Sequence, residues 1–306
     1  MYVAIRDVTL LQAGFRTIRG GLRALNLDAV ELCFCRDRSL PWPSGRALDR
    51  AEPLTTPAAL RAMAEAYESE LLHVCGLMVA TNLNAEDLAA EVAWVRDAMV
   101  AAQALGAGVV RLDAAMTGQQ QLPLCQRVDA YARALVQILE ATEDIAVPLA
   151  IETHGTQGTD VQWLEGVLER VDSRRVGVAL DAANFYLAGM PLSRVYEVVE
   201  RLAPRVLHVH CKNLKLDPEQ REVVRQPGWG YGEYVCPLPD GDLDHRRLVE
   251  LLRGAGYGGA LAIEDESMGK YGATERIQNL ARAADYLAEL AIAAGGSRLY
   301  RGPCCG

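Results

Sequence analysis

The chain has 306 residues, half of them hydrophobic, with a formal charge of −9 and a pI near 5.2. That is enough apolar material for one large α/β barrel or two modest domains, and the acidic balance excludes a nucleic-acid backbone as the main partner, because phosphate binding needs a basic face. No window approaches the ~18 consecutive apolar residues of a membrane span, and Arg6 and Asp7 interrupt the N-terminal run where a signal peptide would stay apolar, so the expectation is a soluble cytoplasmic protein that engages neither membrane nor nucleic acid.

Short β-rich runs alternate with longer helical patterns, the rhythm of βα units and a parallel sheet. Residues 3–10 predict the first strand, 17–27 a short helix, and 29–35, Ala-Val-Glu-Leu-Cys-Phe-Cys, the second strand. The loop over 36–57 carries Pro41-Trp42-Pro43 and is long enough to cover a pocket mouth. Residues 57–69 predict a helix with Pro57 in its first turn, and 71–79 the third strand. Asn84, with Asp87 three residues on, predicts an N-cap for a helix whose Leu88, Val92, Val95, Met99 and Ala102 share one face. Residues 108–112 make the fourth strand, with Arg111 and Asp113 near its end, and 125–142 the next helix.

From there each predicted strand stops on a ligand-type residue. Leu149-Ala150-Ile151 ends on Glu152, with His154 and Gly155 in the turn; Val176 to Leu180 ends on Asp181; Val206 to Val209 ends on His210; Ala260 to Ile263 ends on Glu264. The helices between them are expected over 160–171, 191–202 and 244–254, a long excursion rich in Gly, Pro, Trp and Tyr over 226–240, and a closing helix over 273–294. Glu152 to Asp181 and Asp181 to His210 are each 29 residues apart, one βα unit. Eight strands, eight helices and no compositional break predict a single (β/α)8 barrel over residues 1–294, with 295–306 as a C-terminal tail, flexible or partner-bound. In that fold adjacent strand ends share one mouth, whereas an open sheet strings them along a line.

Three carboxylates crowded at one mouth repel unless a cation sits among them. Glu152, Asp181, His210 and Glu264 are therefore the expected ligands of one divalent metal, and His208, on the same strand face as His210, packs against it or orients it. The eight cysteines read as reduced core residues rather than a disulfide framework; adjacent Cys304-Cys305 in the Gly-rich tail offer either a reactive or a metal-binding pair.

Four segments resemble the sugar phosphate isomerase/epimerase family, the xylose isomerase-like barrels: Leu149-Ala150-Ile151-Glu152-Thr153-His154-Gly155, Val178-Ala179-Leu180-Asp181-Ala182-Ala183-Asn184, His208-Val209-His210-Cys211-Lys212-Asn213 and Gly256-Tyr257-Gly258-Gly259-Ala260-Leu261-Ala262-Ile263-Glu264. Pro239-Asp240-Gly241-Asp242-Leu243-Asp244 is similar to the family's Gly-rich segment before the last helix and strand. The resemblance covers about residues 29–290. It implies one Mn²⁺, Mg²⁺, Co²⁺ or Zn²⁺ ion on those four residues. Oxygen donors with one imidazole suit Mn²⁺ or Mg²⁺ on chemical grounds. It further implies isomerisation or epimerisation of a sugar or keto-polyol through a metal-stabilised enediolate, with Glu152 and Glu264 as the acid/base pair. His154, Asn184, Lys212 and Arg111 are the substrate-binding candidates. Structural roles compete: a hydrogen bond for His154, salt bridges for Lys212 and Arg111. Asn184 stands where sugar epimerases often carry His, and Asn213 where the family often has Asp.

A lyase that dehydrates a keto-polyol or a dehydroshikimate-like acid would use the same α-proton abstraction. An endonuclease IV-like DNA repair enzyme needs three zinc ions and more than the five histidines present, and a metal-bearing binding protein without catalysis is the remaining class. Trp229, Tyr231 and Tyr234 predict either an aromatic cover over a sugar face or an oligomer contact. A homodimer or homotetramer is compatible with barrels of this kind.

Overall fold

The computed structural model describes residues 1–45, 53–84, 87–114, 121–226 and 228–302; Cys304 and Cys305 lie outside them. The elements run β1 (Tyr2–Arg6), α1 (Asp7–Gln12), α2 (Ile18–Ala24), β2 (Ala29–Cys33), α3 (Pro57–Ser69), β3 (His73–Val79), α4 (Leu88–Ala104), β4 (Val110–Leu112), α5 (Leu124–Ala141), β5 (Leu149–Glu152), α6 (Gly155–Gly158), α7 (Val161–Val171), β6 (Val176–Asp181), α8 (Ala182–Leu187), α9 (Leu192–Leu202), β7 (Val206–Cys211), β8 (Asn213–Leu214), β9 (Val235–Cys236), α10 (His245–Gly254), β10 (Ala260–Ile263) and α11 (Ala273–Ala293). Eight strands close a parallel barrel in the order β1-β10-β7-β6-β5-β4-β3-β2, while β8 and β9 form a separate antiparallel ribbon. The fold is the expected α/β barrel.

Strand alternation sorts the side chains into two shells. Residues such as Ile5, Val30, Leu77, Leu112, Ile151, Leu180, Val209 and Ile263 join the helices in one continuous core. The residues between them form small separate clusters: Ala4, Ala29, Cys75, Ala260 and Ala262 in one, Val109, Ala150 and Ala179 in the other. Two residues further along these strands come Arg6, Glu31, Arg111, Glu152, Asp181 and Glu264. The interior is thus small and apolar in the middle and strongly polar at the C-terminal ends, where this fold places its chemistry.

Several expected boundaries move. The first strand stops at Arg6 instead of residue 10, because Asp7 opens α1 and its carboxylate accepts from the backbone amides of Val8 at 2.7 Å and Cys33 at 3.0 Å. The N-cap of α4 is Asp87, which accepts from the Ala90 amide at 3.1 Å, and Asn84 lies outside the helix. The third strand starts at His73, since Leu71 has φ +55° and is exposed. Beyond the eight expected helices, α1, α6 and α8 are short turns that follow β1, β5 and β6 directly.

Residues 297–300, expected as part of a flexible or partner-bound tail, lie against the barrel's own N-terminal end. Ser297 donates its amide to the Met1 carbonyl at 2.9 Å and Arg298 accepts from the Val3 amide at 3.1 Å. Tyr300 stacks on His73 at 3.5 Å between centroids. In the loop after β2, Leu40 and Leu54 are buried and Tyr67 of α3 donates to the Pro41 carbonyl at 2.9 Å, so the described part packs on the helices; residues 46–52 lie outside the description. No helix among the described residues is long and apolar enough to cross a membrane.

Candidate metal centre and active site

One ligand atom from each of Glu152, Asp181, His210 and Glu264 lies within 4.8 Å of the others. The barrel register produces this convergence: Asp181 pairs with His210 across β6 and β7, and Ala262 pairs with His210 across β10 and β7, which leaves Glu264 one pleat above. Glu152 ends β5. Its strand is tied to the end of β6 by Thr153, whose hydroxyl donates to the Asp181 carbonyl at 3.0 Å and accepts from the Asp181 amide at 2.8 Å. Gly158 lies so close over the Glu152 carbonyl that a Cβ there would clash, so α6 packs directly on the strand end.

His210 is the hub. Its Nδ1 stands 3.0 Å from Glu152 Oε1 and 3.2 Å from Glu264 Oε2, and its Nε2 stands 2.8 Å from Glu31 Oε2. Asp181 caps α8, with Oδ1 accepting from the Ala183 amide at 2.9 Å, so Oδ2 is the oxygen left for the site. Glu152 Oε2, Asp181 Oδ2 and Glu264 Oε2 are all buried without a hydrogen-bond partner. Arg111 pairs with Glu152 Oε2 and Lys212 with Asp181 Oδ2 and Glu264 Oε2, while Arg6 pairs with the other oxygen of Glu264. Three carboxylates and an imidazole facing inward form a donor set that fits one divalent cation, and these carboxylate oxygens, held among cationic side chains here, are the atoms that would hold it.

The substrate candidates divide. Lys212 Nζ sits 2.6 Å from Glu266, 3.2 Å from Asp181 and 3.6 Å from Glu264. Burial alone would depress this ammonium, but the Asp181 and Glu266 carboxylates outweigh that and hold its pKa above the usual lysine value. Arg111 is buried and bridges Asp113, at 2.7 Å, to Glu152. Asp113 is set in turn by Tyr131, which donates to its backbone carbonyl at 2.7 Å and lies edge-on to Trp163. His154 is part-exposed, with Nδ1 3.4 Å from Glu152 Oε2, and burial is the first cause that lowers its pKa. Asn184 is buried and its Nδ2 has no hydrogen-bond partner. Asn213 stays away from the cluster. Its amide instead donates to the Leu238 and Leu243 carbonyls at 2.9 and 3.1 Å, a position Gly241 makes room for.

Two hollows adjoin here and share His154 and Glu266. The inner one is walled by Arg6, Arg111, Glu152, Lys212 and Glu264; the outer one by Thr156, Thr159, Asn184, Leu187, Ala188 and Tyr231. Tyr231 comes from the aromatic excursion, which is pinned to α8 by a 2.7 Å hydrogen bond from Trp229 Nε1 to the Leu187 carbonyl and by Arg225 lying over the Trp229 and Tyr186 rings.

Arg6, Glu31 and Glu266 belong to the site and were missed by strand-end reading. Arg6 looked like a polar break in an N-terminal run and Glu31 like a polar residue inside a strand. The available signal was alternation: both fall two residues beyond an interior alanine, Ala4 or Ala29.

The model of the xylose isomerase-like TIM barrel family matches residues 22–290. Curated relatives match about half of the chain. The rhizopine catabolism protein MocC of Rhizobium meliloti is 30% identical over 145 residues, 45% of this chain and 42% of that protein. The inosose dehydratase of Geobacillus thermodenitrificans is 24% identical over 164 residues, 49% of this chain and 53% of that protein. Among solved structures, a D-tagatose 3-epimerase-like protein superposes with a TM-score of 0.68 at 17% identity, covering 96% of this chain and 98% of its own. The IolI protein with a bound zinc atom superposes with a TM-score of 0.69 at 15% identity, covering 95% and 98%.

Proposed function

We propose that this chain, which belongs to the xylose isomerase-like TIM barrel family, is an isomerase or epimerase of a sugar or keto-polyol that works by carboxylate-mediated proton transfer beside one divalent ion. The observation that carries the reading is the placement of two carboxylates, the buried Glu152 and the part-buried Glu264, at 3.0 and 3.2 Å from one imidazole nitrogen, with Asp181 completing the group. Glu152, Asp181, His210 and Glu264 would hold the ion, which when bound supplies the positive charge that makes a carbon beside a carbonyl acidic. Mn²⁺ is the first choice for this donor set, with Mg²⁺, Co²⁺ and Zn²⁺ also suited to it.

The chain's own groups do the rest. Glu152 and Glu264 approach the centre from β5 and β10, so one removes the proton and the other returns it, inverting or relocating the C–H bond. Lys212 stays an ammonium and donates to an oxygen beside the reacting carbon. Asn184 Nδ2, buried and unbonded, donates to a hydroxyl, which it can do without shuttling a proton. The outer hollow, lined by Thr156, Thr159 and Asn184 together with Leu187, Ala188 and Tyr231, offers both polar and apolar contacts to a hydroxylated ring. Likeness to a D-tagatose 3-epimerase-like protein supports this assignment at the level of fold.

A second reading, dehydration, rests on the match to an inosose dehydratase and on the Lys212 to Glu266 pair at 2.6 Å, a proton donor at the border of the two hollows beside which a departing hydroxyl could lie. One experiment separates them. The Mn²⁺-loaded protein is incubated in D₂O with a panel of free ketoses, aldoses and keto-polyols and followed by NMR and ultraviolet absorbance. Deuterium at the carbon beside the carbonyl with a new sugar isomer is the expected result; an enone absorbance selects the lyase. No exchange with any compound sinks both.

A further inference from the structure

Glu31 sits in the middle of β2, is 1% exposed, and meets His210 at the ring nitrogen other than the one that faces Glu152 and Glu264. It stands against both histidines of β7, and the register of β2 against β3 shifts between Val30 and Glu31. Its Oε2 lies 2.8 Å from His210 Nε2, its Oε1 3.2 Å from His208 Nε2, and Arg6 Nε stands 3.5 Å away. The two imidazole rings meet edge to face at 5.1 Å.

An imidazole that binds a metal does so through a nitrogen lone pair, and its other nitrogen must then carry the proton. An ionised carboxylate only accepts hydrogen bonds, so Glu31 stabilises the form with the proton on Nε2. That leaves the Nδ1 lone pair aimed at Glu152 and Glu264. We infer that Glu31 is a positioning residue for the metal centre: by accepting from His210 Nε2 it fixes the ring's tautomer and rotation so that Nδ1 is delivered as a ligand atom. His208 is the brace. It contacts the second Glu31 oxygen and stops the carboxylate from turning toward the cluster.

The arrangement has a rival use. Glu31, His208 and His210 also satisfy the spacing of a metal group of their own. Arg6 argues against it, because a guanidinium 3.5 Å from Glu31 already supplies positive charge there and repels a second cation. The inference rests on the proposed metal-dependent function, and its test is built so that the two fail separately.

The probe is Zn²⁺ alone, with wild type, Glu31→Leu and Glu31→Gln. Calorimetric titration should give one ion per wild-type chain. Loss of an outer carboxylate partner of a ligating histidine typically costs about 10–100-fold in metal affinity, and Glu31→Leu should fall in that range. Glu31→Gln, which keeps an acceptor, should recover part of the loss. In protein labelled with ¹⁵N-histidine, NMR should show His210 Nε2 protonated with and without Zn²⁺, and Nδ1 shifted when the ion binds. In Glu31→Leu a population with the proton on Nδ1 should appear. Unchanged affinity in a folded Glu31→Leu protein, or an unprotonated Nε2 in wild type, overturns the inference. So do two bound ions of which the substitution removes one, since Glu31 would then be a ligand itself. If Glu31→Leu does not fold, the Glu31→Gln affinity and the wild-type spectrum decide. If wild type takes up no ion at all, the proposed function falls, while the protonation of Nε2 still tests the role of Glu31.

Discussion

Four side chains separated by up to 112 residues meet within 4.8 Å at this mouth, and each is held by a different local device. Asp181 caps a helix, Glu152 is capped by Arg111, His210 is fixed between carboxylates, and Glu264 follows the last residue of its strand. Removing one of the two carboxylates proposed for proton transfer should therefore be felt in chemistry more than in folding. Glu152→Gln and Glu264→Gln should each lower turnover by about 10²–10⁴-fold, the usual contribution of a positioned acid or base. Deuterium incorporation in the panel assay measures this, and a variant that keeps wild-type exchange removes its residue from the mechanism.

A second residue-scale prediction concerns His245 at the start of α10. It is fully buried, its Nδ1 lies 3.1 Å from the Leu243 carbonyl, and burial pulls its pKa from 6.5 down to about 4. Because the unfolded chain takes up a proton near pH 6.5 that the folded chain refuses until about pH 4, stability falls as pH drops through that window. At 1.36 kcal/mol per pH unit the loss is on the order of 3 kcal/mol by pH 4. Denaturant titrations of wild type and His245→Gln at pH 7 and pH 4 should show the variant losing less stability by that amount. Equal losses would mean that His245 is protonated within the fold.

At the scale of elements, the mouth is built by turns that begin where strands end, and one of them depends on a glycine. Gly189, between α8 and α9, has φ +99°, and a Cβ there would fall on the Arg225 carbonyl; Arg225 in turn donates its amide to the Gly189 carbonyl at 2.9 Å. Gly189→Ala adds left-handed strain of about 1–2 kcal/mol and pushes the 221–234 segment off α8. Hydrogen exchange should show faster exchange of the Arg225 amide, and KM should rise as Tyr231 leaves the outer hollow. Unchanged protection would show that the segment is held by Trp229 alone.

This dependence also explains what the sequence could and could not reveal. The candidate ligands at the ends of β5, β6, β7 and β10 were legible because buried strands are apolar runs and a charged residue at their end stands out. Spacing near one βα unit then placed them side by side. Glu31 and Arg6 were not legible in that way, because their meaning lies in pairing across the barrel: Glu31 meets His210 from 179 residues away, which no local pattern records. The early end of β1 was hidden for a similar reason, since Asp7 reads as an ordinary surface residue until its carboxylate is seen to accept from the Cys33 amide.

For the molecule as a whole, the barrel separates its parts along its axis: the candidate site at the C-terminal mouth, closure at the N-terminal end. There the last described residues act as a clasp. Besides the backbone links to Met1 and Val3, Arg298 donates to the Asn26 and Leu25 carbonyls at 2.9 and 2.8 Å and pairs with Asp285 at 2.6 Å. Tyr300 donates its amide to Asp28 at 3.0 Å and covers His73, which also meets the Tyr2 hydroxyl at 3.1 Å. Each such bond contributes about 1 kcal/mol net, partly offset by the entropy of ordering the segment. Truncation after Gly295 should therefore destabilise the fold by about 3 kcal/mol, a Tm shift of roughly 5 °C for a chain of this size. Zn²⁺ affinity measured below the transition should stay within about twofold of wild type, because none of the four proposed ligand residues touches the clasp. A joint loss of stability and affinity would show instead that the clasp sets the register of β1 against β10, and with it the height of Glu264 at the mouth.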